Sequence, residues 1–187
     1  NYNSNGLLYS RIDKNNQEWR YSYDSSGRVT AEFSPFMSGI KTLINGSYQN
    51  VDGYAVKQYE YDATGNVTSI SEGVYKGNSI PQTLTFHGQT RKTLFSYDVA
   101  GRQTKVTQPD ADNAPKTWSV TEYNALGYAV RSYTEAQYQG AASFRVSQLD
   151  KVYNASGAVL YDVVTTTFNN GNADKAKKLL NWQPRTS

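Results

Sequence analysis

Histidine occurs once in this chain, at His87 in the stretch Thr85-Phe86-His87-Gly88-Gln89-Thr90, and cysteine does not occur at all. A nucleophilic triad needs a base held beside a nucleophile, and no Gly-x-Ser-x-Gly or comparable setting surrounds this histidine. Thiol chemistry and a disulfide framework are excluded by composition. Two carboxylates flanking a glycosidic bond need not be close in sequence, but nothing singles out a pair. Glu60 and Glu122 follow strand alternation and read as solvent-facing. Asp110 and Asp112, in the connector at residues 108–115, look like half of a calcium loop, yet the glycine and the distal glutamate of such a loop are missing. The expectation is a chain that is not an enzyme, with no catalytic residue, no cofactor and no metal site.

What recurs instead is a structural unit. Tyrosine, then Asp or Asn, two free positions and Gly occur in that order six times. The copies are Tyr2-Asn3-Ser4-Asn5-Gly6, Tyr23-Asp24-Ser25-Ser26-Gly27, Tyr61-Asp62-Ala63-Thr64-Gly65, Tyr97-Asp98-Val99-Ala100-Gly101, Tyr123-Asn124-Ala125-Leu126-Gly127 and Tyr153-Asn154-Ala155-Ser156-Gly157. Chance ordering of this composition gives well under one copy, so the pattern is an internal repeat. The tyrosines are spaced by 21, 38, 36, 26 and 30 residues. The unit is locally fixed, and the connections between copies vary in length.

Asp or Asn opens a type I turn because its side chain accepts from a backbone N–H two residues on. Glycine three residues later suits the left-handed position of a G1 bulge. Each copy therefore reads as a hairpin tip. The flanks agree: Trp19, Tyr21 and Tyr23 alternate with Glu18, Arg20 and Ser22, and Val29, Ala31 and Phe33 share one face beyond the turn. The tyrosine ends the incoming strand, where its ring can lie across a neighbouring hairpin.

Composition supports a thin sheet. Hydrophobic residues are 37% of the 187, and 16 tyrosines carry much of the apolar area. The net charge of +3 is scattered, which argues against a nucleic-acid surface. No apolar run reaches the ~18 residues of a membrane span. A copy opens already at Tyr2, which suggests a piece of a longer chain. The sequons at Asn45, Asn66 and Asn154 are what an Asn-rich chain gives by chance.

Residues 34–56 carry Phe36, Met37, Ile40, Leu43 and Ile44 at loosely helical spacing, consistent with a short helix or an apolar loop. Residues 71–92 read as a second insertion. The hairpin array spans residues 1–168. Residues 169–187 form a tail or a short helix from Ala173 to about Trp182, capped by Asn172 and stopped by Pro184. The unrepeated Tyr48, Tyr54, Tyr75 and Tyr138 are candidates for a sugar-binding platform.

Tyr-Asp-x-x-Gly-Arg followed by a β-former resembles the signature of the YD-repeat, or RHS-repeat, family: bacterial Rhs proteins, the B/C components of Tc toxins, wall-associated proteins and the animal teneurins. Residues 23–30, with Arg28, match it fully, and residues 97–104, with Arg102, nearly so. Asn66 stands in the arginine position of the third copy, and the three Asn copies are degenerate. The resemblance implies an all-β array of antiparallel hairpins forming a curved strip, a segment of a shell. It implies a structural function, enclosing or presenting a toxin in a secreted or cell-surface bacterial protein. Its partners would be adjacent repeats of the parent chain, together with an encapsulated toxin segment or a cell-surface glycan. The competing reading is a glycan- or cell-surface-binding β module that uses exposed aromatics. The chain departs from the family in its longer repeats and in lacking any Asp-Pro pair.

Overall fold

The structure, a computed structural model, describes residues 1–81, 83–108, 116–166 and 176–180. Among these residues all regular structure is β, and every strand pairing is antiparallel. The chain forms two compact units, Asn1–Thr93 and Leu94–Ser187.

The first unit contains β1 (Ser10–Ile12), β2 (Glu18–Tyr23), β3 (Val29–Phe33), β4 (Met37–Ile44), β5 (Ser47–Tyr61) and β6 (Val67–Tyr75). Its ladder runs β1-β2-β3-β5-β6, while β4 pairs with the first half of β5, from Met37↔Gly53 to Ile44↔Ser47. Residues 34–56 are therefore neither a helix nor an apolar loop. They form a hairpin, turned at Asn45 (φ 51°) and Gly46 (φ 80°). Two consecutive residues at positive φ match the twist of the flanking strands, and Asn-Gly is the pair that accepts this most readily. That local demand outweighs the loosely helical spacing of the apolar residues.

The dry interior of this unit is small. Phe33 is only 1% exposed and clusters with Ala31, Tyr54 and Val56. Tyr75 and three residues of the irregular connection after β6, Ile80, Leu84 and Phe86, close over it. The rings of Tyr54 and Tyr75 meet Phe33 edge-on at 6.3 and 6.4 Å. Gly73 admits the Phe86 ring, since a Cβ there would lie 2.7 Å from Phe86 Cδ1. The insertion at 71–92 thus supplies the lid of the core.

The second unit is a meander. β7 (Arg91–Tyr97) runs across the division between the units and from Leu94 pairs with β8 (Gln103–Thr107). Then follow β9 (Lys116–Tyr123), β10 (Ala129–Gln137), β11 (Phe144–Tyr153), β12 (Val159–Thr166) and β13 (Ala176–Leu180), each paired with its predecessor. Ala136 is the one fully buried hydrophobic among its described residues. Polar side chains take over the cross-strand contacts: Trp118 Nε1 donates to Glu135 at 2.9 Å, Arg145 lies over the Tyr133 ring, and Arg131 reaches both Asp150 and Glu122.

The expected C-terminal helix is corrected by β13. Ala176–Leu180 pairs with Asp162–Thr166 in five-residue register. A helix of about ten residues has marginal stability of its own, whereas the open edge of β12 offers a row of unpaired backbone groups. The cap at Asn172, Trp182 and the stop at Pro184 lie outside the described residues, as do Asp110 and Asp112.

Candidate functional site

The six motif copies build one turn, repeated. In the second copy the Asp24 N–H donates to the Arg28 carbonyl at 2.9 Å, and the Gly27 N–H donates to the Asp24 carbonyl at 3.1 Å. This is the hydrogen-bond pattern of a three-residue hairpin loop with a G1 bulge. The Asp24 carboxylate accepts from the Ser26 and Arg28 amides, both at 2.9 Å. Gly6, Gly27, Gly65, Gly101, Gly127 and Gly157 all have φ between 74° and 94°. One residue inward from each of Tyr23, Tyr61, Tyr97 and Tyr153 the strand register slips. Within each unit these turns share one edge, and the variable connections lie on the other.

A further copy of the turn escaped the motif. Asp13 accepts from the Asn15 and Gln17 amides, and Asn16 holds the left-handed position at φ 60°. Ile12 stands in place of tyrosine and Asn16 in place of glycine, so a pattern written on those two residues misses it. Asp-x-x-Asn was the available signal.

The tyrosines join one copy to the next. Tyr23 Oη donates to the Leu8 carbonyl at 2.8 Å, Tyr61 to Val29 at 2.7 Å, Tyr123 to Gln103 at 3.1 Å and Tyr153 to Ala129 at 2.8 Å. Each acceptor lies two residues beyond the glycine of the preceding copy. For Tyr61, Tyr123 and Tyr153 the residue between glycine and acceptor covers the same ring. Arg28 sits 4.6 Å from the Tyr61 centroid, and Arg102 4.6 Å from that of Tyr123. Tyr128 takes the arginine position of the fifth copy and stacks on Tyr153 at 4.9 Å. Arg28 and Arg102 are aimed by their own turns, donating Nε to Asp24 at 2.6 Å and to Asp98 at 2.7 Å. Their Nη1 atoms reach the carbonyls of Asp62 and Asn124 in the following copy. Asn66 is too short to do this and bonds Asp62 and Thr64 within its own turn.

Tyr2 stands apart: it bridges Leu8 through the backbone and its side chain is exposed. Tyr97 ends β7 opposite Gln103. Of the four platform candidates, Tyr54 is buried and Tyr75 packs on the core, so neither offers a face to a ligand. Tyr48 and Tyr138 are exposed. His87 serves through its backbone, donating its N–H to the Val74 carbonyl and accepting from Thr42 Oγ1. Glu60 pairs with Lys92 and Glu122 with Arg131, both at the solvent-exposed surface.

Residues 2–32 match the family model of the RHS repeat. The chain carries an RHS repeat over that segment. The matched segment holds the copies that open at Tyr2 and Tyr23, and the copies from Tyr61 onward repeat the same turn geometry outside it. A search of curated proteins finds no match. No helix among the described residues is long and apolar enough to cross a membrane, and no group of three or more metal-ligating side chains occurs among them.

The repeat turn explains its own residue choices, and two expected results follow. Gly27→Val places a branched side chain at φ 78°, facing Leu7 at ordinary contact distance. It should destabilise by about 1–2 kcal/mol. Gly27→Asn should cost less, since Asn16 and Asn45 already adopt this conformation. Urea unfolding of the two variants measures the difference, and equal losses would contradict the backbone account.

The second result concerns acid. Hydrogen bonds hold three turn carboxyls below their ordinary range: chiefly from the Arg28 amide for Asp24, from the Thr64 and Asn66 side chains for Asp62, and from the Arg102 amide for Asp98. Asp62 is lowered to about 2. A depressed folded pKa means that the unfolded chain binds more protons in the window between the two values. The stabilisation is present above about pH 4 and is lost as pH falls toward 2. Asn3, Asn124 and Asn154 accept the same amides without titrating. The triple variant Asp24→Asn, Asp62→Asn, Asp98→Asn should therefore show a flatter melting temperature between pH 5 and pH 2 than the parent.

Proposed function

We propose that this RHS-repeat module is a segment of wall that, in its parent protein, encloses or presents a toxin in a secreted or surface-delivered bacterial setting. The observation that carries the reading is the lateral lock. Tyr23, Tyr61, Tyr123 and Tyr153 are each held by the copy before them, through a hydroxyl on a backbone carbonyl and, for the last three, a side chain across the ring. Such contacts need only the adjacent copy, so the array extends by adding units, as repeat architectures do. They also need little dry interior, which suits a wall only one sheet thick. The family resemblance supplies the cargo: a C-terminal toxin segment held until delivery.

The test uses the parent protein with its downstream segment, exposed to protease. The downstream segment should resist cleavage in the intact protein and become cleavable when Tyr23 and Tyr61 are both replaced by alanine. Equal cleavage of that segment in the two proteins, with the repeats themselves still folded, would overturn the enclosure reading.

A further inference from the structure

An asparagine side chain is most open to attack by its own backbone when glycine follows, because a glycine N–H has no Cβ beside it. The chain holds three such pairs, Asn5-Gly6, Asn45-Gly46 and Asn170-Gly171. The last lies outside the described residues. The other two are both exposed turn pairs, yet their backbone N–H groups are used differently.

At the first pair the Gly6 N–H donates to the Asn3 carbonyl at 3.0 Å, and the Asn5 N–H donates to Asn3 Oδ1 at 3.0 Å. The nitrogen that would attack is held by its turn. At the tip of the β4–β5 arm the ladder closes at Ile44↔Ser47. Neither the Gly46 N–H nor the Asn45 carboxamide has a hydrogen-bond partner among the described residues. Asn45 also sits at φ 51°, a conformation that costs a residue with a Cβ and is relieved when the turn opens. Asn16 is the other described non-glycine residue in that region, at φ 60°, and the N–H that follows it, on Gln17, donates to Asp13 Oδ1 at 3.0 Å. A left-handed asparagine, a following glycine and a free N–H coincide only at Asn45 among the described residues.

The tip is also where the arm meets the segment after β6. The Gln89 N–H donates to the Leu43 carbonyl at 2.8 Å. Gly88 lies so close that a Cβ there would be 2.7 Å from Thr42 Oγ1 and 2.9 Å from the Leu43 carbonyl. Asn45 and Gly46 line one hollow with His87, Gly88 and Gln89.

We infer that Asn45-Gly46 is a self-modification site whose reaction with water releases the β4 arm from residues 87–89. The Gly46 nitrogen bonds to Asn45 Cγ, the Cγ–Nδ2 bond breaks, and ammonia leaves with the proton of the backbone N–H. Water then opens the resulting five-membered imide at either carbonyl. One opening gives aspartate, which a left-handed turn position accepts. The other gives isoaspartate, whose main chain runs through the former side chain and is longer by a methylene. A two-residue turn has no slack for that addition, so the closing register at Ile44↔Ser47 is lost next to Leu43. The inference does not rest on the wall reading.

The test incubates the whole chain at mildly alkaline pH, which favours loss of the backbone proton, and follows each pair by peptide mapping with mass spectrometry. Asn45 should convert roughly fivefold faster than Asn5, the factor that one net hydrogen bond contributes. In concentrated urea the two rates should converge. The isoaspartate form, separated by ion exchange, should show about tenfold or more faster hydrogen exchange at the Gln89 N–H, as expected for local opening. The variant Asn45→Asp, which adds the charge without the methylene, should keep the parent's exchange there. Equal rates at Asn5 and Asn45 in the folded chain, or a difference that survives in urea, would overturn the site. Unchanged Gln89 exchange in the isoaspartate form, or equally fast exchange in Asn45→Asp, would overturn the release.

Discussion

Phe33→Ala is expected to destabilise residues 1–93 by about 3–5 kcal/mol, the ordinary loss for a buried phenylalanine that leaves a cavity. Phe33 is 1% exposed and is the largest fully buried side chain among the described residues. It is also where distant parts of the unit meet. Tyr54 comes from the hairpin of residues 34–56, Tyr75 from the end of β6, and Ile80, Leu84 and Phe86 from the connection beyond it. Removing the ring opens space on several sides at once, and the surrounding strands are tied by their ladders and cannot collapse far. A domain of this size has a total stability of roughly 5–15 kcal/mol. The loss is then a large part of what holds the unit folded. Hydrogen exchange should localise the new opening to residues 29–34, 53–58 and 72–75. Leu126→Ala, at a 74% exposed turn position, should stay within about 0.5 kcal/mol. A Phe33→Ala loss no larger than that of Leu126→Ala would mean that this cluster is not the core.

The contrast between the units bears on how much the sequence disclosed. The hairpin tips were legible because their cause is local: an acceptor side chain, and a glycine three residues on. The Asn45-Gly46 turn is equally local in cause, but the apolar spacing around it points to a helix or a loop. The lid of the core was not legible. Ile80, Leu84 and Phe86 have no strand or helix period, because they sit in an irregular segment whose shape is set by what it covers. The partnership of arginine and tyrosine was hidden for another reason. Arg28 and Tyr61 are 33 positions apart, with two insertion strands between them, and only the sheet brings them together. The arginine is visible in the motif as a residue type; its role is visible only when consecutive copies are laid side by side. The strand at Ala176–Leu180 is not legible, because its pairing with β12 is tertiary, while the residues flanking it point to a local helix.

The tyrosine lock can be taken apart at Tyr61. Tyr61→Phe keeps the ring beneath Arg28 and removes only the 2.7 Å bond to the Val29 carbonyl. A net loss of about 1 kcal/mol is expected for that bond. Tyr61→Ala removes the ring as well. The Arg28 guanidinium then keeps its bond to Asp24 but loses the surface on which it rests. A loss of about 2–4 kcal/mol is expected, in the lower part of the range for large aromatic truncations because the side chain is only partly buried. Arg28→Ala alone should cost less than Tyr61→Ala, since the Asp24 carboxylate keeps its two backbone donors. The decisive quantity is the coupling. If the guanidinium is held on the ring, the double variant Arg28→Ala, Tyr61→Ala should lose less than the sum of the single variants by about 0.5–1 kcal/mol. The same cycle on Arg102 and Tyr123 should give a similar value, because the stacking distance is the same 4.6 Å. Coupling at both arginine positions would identify this lock as the element that each copy passes to the next. Additive losses at Arg28 and Tyr61 would leave the backbone ladders alone to hold successive copies together, and the repeated tyrosine would then need another cause.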